Sequence, residues 1–308
     1  MRHKDSATAK ELDLALRSFD ATIRRLPGID RASNRVAFIE QVLESIHRVR
    51  YASLIATRSI SVLRADPSSK LFYPLKAAIL RKRQGQTDEA FWFVFLFVHF
   101  GKSPRSGFGL ARQVYGCLGT GPEWTWARVS ANTRSFRAWL AANRRKIVGS
   151  FGNHRKYESL NATSRNGTGE AVETYVRWVA HFGGHDALIK EAERQVGSNP
   201  RAMFDWLYRS MAAVARFGRT AKFDYLTMLG KIGLAAIEPG SAYMEGATGP
   251  FAGARLLFGG STTAAFSRSK LDQWLVLLDS RLGVGLQVLE DSLCNWQKSP
   301  SRFKPFRG

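Results

Sequence analysis

An apolar run, FWFVFLFVHF at residues 91–100, has to be buried somewhere, and this requirement limits the folds open to the chain. A helix needs about 20 apolar residues to cross a bilayer, so the run is too short for a membrane span and is expected to form a buried core helix. Thr87 predicts an N-cap, and Asp88 and Glu89 place acids in the first turn, where they suit the helix dipole. Gly101 is the expected end.

Helical spacing of apolar residues recurs along the rest of the chain. It predicts amphipathic helices over residues 12–26 and 36–49. Asn199–Pro200 predicts another helix start, with Gly218 as its end. A last long helix is expected over about residues 283–298. Because alternating strand patterns are scarce, the fold class is predicted to be all-α.

The charge of the chain is strongly and unevenly basic. Lys and Arg number 46 against 25 Asp and Glu, which gives a net charge of +21. A globular chain this basic is expected to bind a polyanion, with nucleic acid favoured over a membrane surface. Residues 1–160 hold 28 basic and 12 acidic residues, whereas residues 161–308 hold 18 and 13. The DNA-binding surface is therefore expected mainly in the N-terminal half.

A segment rich in Asn, Ser and Gly, Ser150–Gly169, interrupts the helical patterns. It is predicted to be a hinge between two helical lobes. The first lobe, residues 1–150, would carry the DNA-binding surface, and the second, residues 151–308, would hold most of the active site. The alternative is an active-site loop within one continuous domain.

The two cysteines, Cys117 and Cys294, imply no disulfide framework and favour a reducing compartment. The first ten residues are polar and charged, so no signal peptide is expected. A cytoplasmic location and no membrane partner are predicted. The histidines and cysteines show no metal-ligand spacing, so neither a metal site nor an organic cofactor is expected.

Five segments combine glycine, which lets backbone approach a ligand closely, with side chains that donate or accept protons. They are HFGKSPRSG (99–107), FGNHRKYESL (151–160), FGRTAKFDYLTMLGKIG (217–233), GATGPFAGARLLFGG (246–260) and EDSLCNWQKSP (290–300).

The segment FGNHRKYESL concentrates polar side chains. His154 is a candidate general base, and Arg155 and Lys156 are candidates for clamping a phosphate. The alternative is a basic surface loop that touches DNA phosphates without catalysis.

Two glycine-rich stretches have both a functional and a packing interpretation. LGKIG (229–233) resembles the hairpin of helix-hairpin-helix DNA-binding proteins, but an ordinary helix C-cap explains it equally well. GATGPFAGARLLFGG lacks the Walker A ending and follows no strand. It could cradle a phosphate through backbone N–H groups with Arg255 as a fork, or form a tight interhelical loop.

The segment EDSLCNWQKSP lies on the last predicted helix and clusters reactive groups. One face carries Glu290, Cys294 and Gln297, and the adjacent face carries Asp291, Asn295 and Lys298. Cys294 is a candidate covalent catalyst, although cysteine is often a small core residue.

The five segments, and above all LEDSLCNWQKSP, resemble the α-glutamyl/putrescinyl thymine pyrophosphorylase family, clade three. This family is also described as amino acid:DNA transferases of phages that hypermodify their DNA. The resemblance runs from about Phe91 to Lys298. It implies a helical fold distantly similar to helix-hairpin-helix DNA glycosylases.

The resemblance also implies an activity. Phage DNA carries 5-hydroxymethyluracil, a kinase phosphorylates the hydroxymethyl group, and the transferase replaces the phosphate or pyrophosphate with an amine. The product would be an N-linked hypermodified thymidine, and DNA that contains it would evade host restriction. The partners would be modified double-stranded DNA and a free amine, in the host cytoplasm if a phage encodes the protein. Glycine is the favoured donor, with serine, glutamate and putrescine open.

This chemistry suggests a role for each candidate residue. Cations for the leaving group are Arg155, Lys156, Arg219 and Arg255. Bases for the amine are His154, Asp291 and Glu290. Lys298 would bind a carboxylate, and Asp224 would orient Arg219 or a neighbouring residue. Asn153, Tyr157 and Asn295 would contact substrate. Cys294 would add to the uracil ring. The flipped base would stack on Trp296, Tyr157 or Phe217.

Two other functions remain open from the sequence. A helix-hairpin-helix DNA glycosylase needs an Asp at a fixed distance after the hairpin, yet the next acids after LGKIG are Glu238 and Glu245. A non-enzymatic DNA-binding or packaging protein would bind DNA regardless of modification and tolerate alanine at His154, Asp291 and Cys294.

Overall fold

A computed structural model describes residues 5–305 of the chain. Those residues form fourteen α-helices and no β-sheet, so the all-α prediction is confirmed. In chain order the helices are α1 (Asp5–Thr22), α2 (Ala32–Thr57), α3 (Pro74–Arg83), α4 (Thr87–Phe100), α5 (Gly109–Tyr115), α6 (Trp126–Ala131), α7 (Thr133–Asn143), α8 (Thr168–His181), α9 (His185–Val196), α10 (Pro200–Ser210), α11 (Arg219–Lys231), α12 (Gly249–Gly259), α13 (Arg268–Leu282) and α14 (Leu286–Trp296).

The helices divide between two compact units. Of the described residues, unit 1 comprises 5–52 and 239–305 and contains α1, most of α2, and α12 to α14. Unit 2 is built from residues 53–238 and contains α3 to α11. The chain therefore leaves unit 1 within α2 and returns to it after Glu238. The segment Ser150–Gly169, expected from the sequence to lie between two lobes, lies inside unit 2.

Helix α4 forms the centre of unit 2. Its residues from Ala90 to Leu96 are at most 1% exposed, and α3, α5, α6, α9 and α11 pack against it. A helix that is apolar on every face is stable in water only when neighbours surround it. The predicted core helix is thus confirmed, and no helix in the described part of the chain is long and apolar enough to cross a membrane.

The start of α4 differs from the prediction by one residue. The N-cap is Gln86, not Thr87, and no side chain caps the helix. The two acids of the first turn serve tertiary contacts. Asp88 accepts a hydrogen bond from His185 Nδ1 at 2.6 Å. Glu89 accepts a hydrogen bond from the backbone N–H of Trp126 at 2.7 Å. Both acids therefore make tertiary hydrogen bonds besides lying near the positive end of the helix dipole.

Unit 1 is held together by close packing of α12 on α14 and by an aromatic contact of α2. A β-carbon at Gly253 of α12 would lie 2.3 Å from the carbonyl oxygen of Leu293, so only glycine allows the two backbones to approach this closely. Phe38 on α2 meets Trp296 on α14 edge-on, with ring centroids 5.0 Å apart. Both rings are at most 1% exposed, which places them in the core of the unit.

The other helix boundaries follow the sequence signals in part. Asn199 caps α10 as predicted, because its side chain accepts hydrogen bonds from the N–H groups of Arg201 and Ala202. The same helix ends at Ser210, well before Gly218. Apolar residues continue at helical spacing beyond Ser210, so the sequence pattern does not show where the helix ends. In the segment between α10 and α11 the backbone of Arg216 has a φ of +64°.

The LGKIG stretch forms the end of α11. Gly233 has a φ of +68°, and the N–H of Leu234 donates back to the carbonyl of Leu229 at 2.9 Å. This is the geometry of a helix C-cap. A helix-hairpin-helix needs a second helix directly after the turn, whereas the next helix here begins at Gly249.

Candidate active site

The five motif segments collect into two groups, one in each unit. HFGKSPRSG, FGNHRKYESL and FGRTAKFDYLTMLGKIG meet one another in unit 2. GATGPFAGARLLFGG and EDSLCNWQKSP meet in unit 1, as α12 and α14. Each group is a candidate site with its own geometry.

In unit 2 the first two segments cross at their Phe-Gly dipeptides. The N–H of Gly152 donates to the carbonyl of Phe100 at 2.8 Å, and a β-carbon at Gly152 would lie 2.8 Å from the backbone nitrogen of Lys102. Ser103 and Ser150 share a hydrogen bond of 2.8 Å between their hydroxyls. The crossing therefore requires glycine and fixes the two loops side by side.

Arg155 lies beneath this crossing as a buried cation. It is 7% exposed, and its Nε donates to the carbonyl of Val98 at 3.0 Å. Its Nη2 has no acceptor among the described residues. Burial lowers the pKa of Arg155, and the carboxylates of Asp224 and Glu158 oppose that shift. A buried guanidinium with an unused donor is suited to holding an anion.

Asp224 on α11 has the largest electrostatic effect of any carboxylate on Arg155. Burial raises the pKa of Asp224, and the positive charges of Arg155, His154, Arg219 and Lys231 lower it, in that order of size. The sequence predicted that Asp224 orients Arg219 or a neighbouring residue. Arg155 has a larger electrostatic effect on this carboxylate than Arg219 has.

His99, in the first segment, is a neutral buried histidine. Burial, with the charges of Arg155 and Arg216, lowers the pKa of His99 to about 3. The Thr168 hydroxyl donates to the carbonyl of Ser159 at 2.8 Å, so its oxygen accepts from His99 Nε2, 3.0 Å away. This assigns the proton of the neutral ring to Nε2.

Four other predicted residues of unit 2 lie at its surface. Asn153, His154, Lys156 and Tyr157 are exposed, and the Tyr157 side chain is 82% exposed. Arg219 is the first residue of α11 and its guanidinium lies 5.0 Å from the centre of the Phe223 ring.

Exposed cations line the two crossed loops and the end of α7. We call this set the basic loop surface; it consists of Lys102, Arg105, Arg144, Arg145, Lys146 and Lys156. Gln113 ties the loop at 148 to α5, because its amide exchanges hydrogen bonds with the backbone of Val148. From Ala90 to Tyr157 the sequence contains one acid, Glu123. The surface is therefore suited to a polyanion.

In unit 1 the carboxylate of Asp291 is held by two residues of α2. Ser45 Oγ donates to Asp291 Oδ2 at 2.7 Å, and Arg48 Nη2 donates to the same oxygen. Ser45 is fully buried, whereas the side chains of Arg48 and Asp291 are 27% and 30% exposed. Ser45 and Arg48 were not among the residues predicted from the sequence. Their spacing and that of Gln41, at i, i+4 and i+7, marks one polar stripe on an otherwise apolar helix face.

Asp291 also joins a chain of polar groups along α14. Asn295 Nδ2 donates to Asp291 Oδ1 at 3.2 Å, and Lys298 Nζ donates to Asn295 Oδ1 at 3.2 Å. Both carboxylate oxygens of Asp291 are thus engaged. Glu290 precedes it and is partly buried. The face predicted to carry Asp291, Asn295 and Lys298 is present as a connected network.

Cys294 lies where the first residue of α12 meets α14. A β-carbon at Gly249 would lie 2.7 Å from Cys294 Sγ, so the thiol faces the N-terminal end of α12. Cys294 is partly exposed, whereas Cys117 is buried. The N-terminal end of a helix stabilises a thiolate relative to a thiol.

The glycine-rich segment is largely helical and not an extended phosphate loop. Arg255 on α12 and Arg268 on α13 place their guanidiniums 4.1 Å and 3.9 Å from the centre of the Phe251 ring. Arg268 also donates to the carbonyls of Met244 and Ala247, which fixes the turn before α12. Arg255 therefore adds a cation to the side of unit 1 on which α12 begins.

The aromatic residues proposed for base stacking differ in exposure. Trp296 is 1% exposed and donates through Nε1 to the carbonyl of Pro300, and Phe217 is 3% exposed and stacks on Phe95. Both belong to the cores of their units, which leaves Tyr157 as the exposed ring. Residues 5–305 contain no group of three or more His, Cys, Asp or Glu side chains placed to hold a metal ion.

Comparison with known proteins identifies the family. A family model described as alpha-glutamyl/putrescinyl thymine pyrophosphorylase clade 3 matches residues 33–308. No curated protein and no solved structure matches the chain. The family match confirms the resemblance seen in the motif segments and extends it towards the N-terminus. The chain therefore belongs to the alpha-glutamyl/putrescinyl thymine pyrophosphorylase family, clade 3, whose name points to enzymes of thymine hypermodification.

Proposed function

We propose that the protein is an amino acid:DNA transferase that replaces the phosphate of 5-phosphomethyl-deoxyuridine in DNA with an amine, glycine being the favoured donor. The product is an N-linked thymidine derivative that protects phage DNA from host restriction. The observation that carries this proposal is the arrangement around Cys294 in unit 1. A partly exposed thiol at the N-terminal end of α12 lies one turn from the Arg48–Asp291 pair.

The ring chemistry can be written with this thiol. The Cys294 thiolate forms a bond to C6 of the uracil ring, and the C5–C6 π electrons become an enolate through C4 and O4. The enolate expels the phosphate, so the bond from the exocyclic carbon to oxygen breaks and a C5=CH2 double bond forms. Covalent addition thus divides one difficult displacement into easier steps.

The amine then enters and the enzyme is regenerated. The amine nitrogen bonds to the exocyclic carbon, which restores the enolate, and the enolate expels the thiolate from C6. The net reaction exchanges one N–H bond of the amine for an N–C bond and releases phosphate and a proton. Glu290 lies one turn before Cys294 on the same helix face, and we assign it the proton that the amine loses.

The other polar groups of unit 1 have supporting roles in this scheme. Asp291, with both oxygens engaged, positions Asn295 and Arg48, and we no longer assign it the base role that the sequence suggested. Lys298 is exposed at the end of α14 and is suited to the carboxylate of an amino acid. Arg255 is the cation of this unit assigned to the phosphate.

The unit 2 group is assigned to DNA. The basic loop surface supplies cations for backbone phosphates, and Arg155, with an unused buried donor, adds an anion-binding group beneath it. His154 and Arg219 lie close enough to affect the pKa of Asp224 and belong to the same cationic group. Phosphate contacts of this kind position a protein on DNA without reading sequence.

The experiment is amine-dependent phosphate release from duplex DNA that carries 5-phosphomethyl-deoxyuridine. The wild type and Cys117→Ala are expected to release phosphate only when an amine is present, because Cys117 is a buried residue of unit 2. Cys294→Ala is expected to lose at least about a hundredfold in rate. Normal turnover by Cys294→Ala would remove the covalent step, and release of free base without transfer would support a glycosylase instead.

A further inference from the structure

Gln41, on α2 in unit 1, is a buried amide with an unused donor. It is 2% exposed, and its Nε2 has no acceptor within hydrogen-bonding distance among the described residues. A buried polar group without a partner destabilises the folded state, so native proteins retain few of them. An apolar side chain of the same size would fit this position at lower cost in stability. The amide therefore points to a ligand that supplies the acceptor.

The packing of α2 on α14 locates this amide along the active-site helix. Phe38 contacts Trp296, and Ser45 contacts Asp291, so the two helices run antiparallel. Gln41 lies between Phe38 and Ser45 on the same face of α2. Gln41 therefore faces the part of α14 between Trp296 and Asp291, which contains Cys294 and Asn295.

This level of α14 can be reached by a ligand. Cys294 and Asn295 are both partly exposed, whereas Phe38 and Trp296 close the core on one side. Gly249 keeps the neighbouring end of α12 free of a side chain. The thiol of Cys294 and the carboxamide of Asn295 thus lie at the level of α14 that Gln41 of α2 faces, and Gly249 of α12 lies against the thiol.

We propose that Gln41 is the residue that binds the uracil ring, with its amide Nε2 donating to the O4 carbonyl of the flipped base. This inference rests on the proposed function. Its Oε1 accepts the N3–H, because a carboxamide matches the acceptor and donor of an imide edge side by side. A hydrogen bond to O4 also stabilises the enolate that forms on that oxygen, so the contact strengthens as the reaction proceeds.

The test measures how much the uracil ring contributes to the affinity of the protein for duplex DNA. Two duplexes are compared that differ at one position, which carries either 5-hydroxymethyl-deoxyuridine or a tetrahydrofuran abasic unit. The hydroxymethyl group is not a phosphate ester, so the comparison reports binding without turnover. The ratio of the two dissociation constants is the contribution of the ring in each protein variant.

Gln41→Met is expected to reduce the ring contribution about tenfold, because hydrogen bonds to the base are lost. It should leave binding of the abasic duplex unchanged and melt no lower than the wild type, since an unsatisfied buried amide is removed. Gln273→Met, at an exposed position of α13, is the matched control and should preserve the ring contribution.

An unchanged ring contribution in Gln41→Met would overturn the inference. A lower melting temperature with an unchanged ring contribution would assign Gln41 a structural role and overturn it as well. The proposed function is judged separately, by phosphate release with the wild-type enzyme, so a failure of one is not read as a failure of the other.

Discussion

Ser45 on α2 and Asp291 on α14 are 246 residues apart in sequence and share a hydrogen bond of 2.7 Å. Arg48, one turn after Ser45, donates to the same carboxylate oxygen. These contacts tie α2 to α14, the helix that carries Cys294. They connect packing to the proposed chemistry, because α14 carries the thiol and its register depends on them.

The Arg48–Asp291 pair should show measurable coupling. With side chains about one-third exposed, it lies between a surface pair and a buried pair, and we expect a coupling of about 1 kcal/mol in a double-mutant cycle of Arg48→Ala and Asp291→Ala. Urea unfolding gives the four free energies. The exposed pair Lys190–Asp186 is the control, with an expected coupling near zero. Equal coupling in both pairs would show that the contact does not organise α14.

Gly249 should be replaceable only when Cys294 is smaller. In the wild type, Gly249→Ala would place a methyl group 2.7 Å from Cys294 Sγ, and we expect a loss of about 1–3 kcal/mol from overpacking. In a Cys294→Ala background the obstructing sulfur is absent, so the same change should be neutral or stabilising, since alanine favours a helix over glycine. Thermal or urea unfolding of the four proteins measures this. A similar loss of stability in both backgrounds would show that the steric conflict is not with the Cys294 thiol.

His99 should make the stability of the fold depend on pH. Burial lowers the pKa of His99 to about 3 from 6.5. The unfolded chain therefore takes up a proton below pH 6.5 that the folded chain does not, and this stability is complete above pH 6.5 and lost as the pH falls. Between pH 7.5 and 5.0 the expected loss is about 2 kcal/mol.

The His99 prediction is checked by comparing the wild type with His99→Gln in urea at several pH values. Glutamine keeps a donor for Thr168 but does not titrate in this range, so the variant should lose about 2 kcal/mol less than the wild type over the same window. Other ionisable groups contribute equally to both proteins. Parallel pH profiles would show that folding does not lower the pKa of His99.

Salt dependence should identify the basic loop surface. Each phosphate contact on duplex DNA contributes about 0.9 to the slope of log affinity against log salt. Alanine at all three residues of Arg144–Lys146 should reduce the slope by up to about 2.7. A matched control removes three cations of unit 2 that are paired with acids, namely Arg194, Arg201 and Arg209. A slope that falls equally in both variants would mean that net charge, and not this surface, attracts DNA.

The sequence was sufficient where one local signal decides the structure. The apolar run predicted α4, because nothing but burial accommodates such a helix, and Asn199–Pro200 predicted the start of α10. The end of α10 could not be predicted, because Met211, Val214 and Phe217 continue the helical spacing although the helix has ended. Thr87 was predicted as the N-cap but is the first residue of α4, and the two acids that follow it make tertiary hydrogen bonds that a local signal does not show.

Only the α14 residues of the candidate site could be predicted from the sequence. Asp291, Cys294 and Asn295 stood out because reactive side chains cluster on one short helix. Gln41 and Ser45 did not, since polar residues on an amphipathic helix indicate a solvent face until the partner helix is known. That partner, α14, lies some 250 residues away, and pairing at this distance has no local signature in a single sequence.

The mass of the product nucleoside tests the central claim most directly. Wild-type protein is incubated with duplex DNA containing 5-phosphomethyl-deoxyuridine and a pool of isotopically labelled amino acids and polyamines, and the DNA is digested to nucleosides. We expect a new nucleoside that carries the isotope label of one amine, with loss of the phosphorylated nucleoside and release of phosphate. Unchanged nucleosides, with phosphate and pyrophosphate esters alike, would contradict the assignment of this protein as an amine transferase.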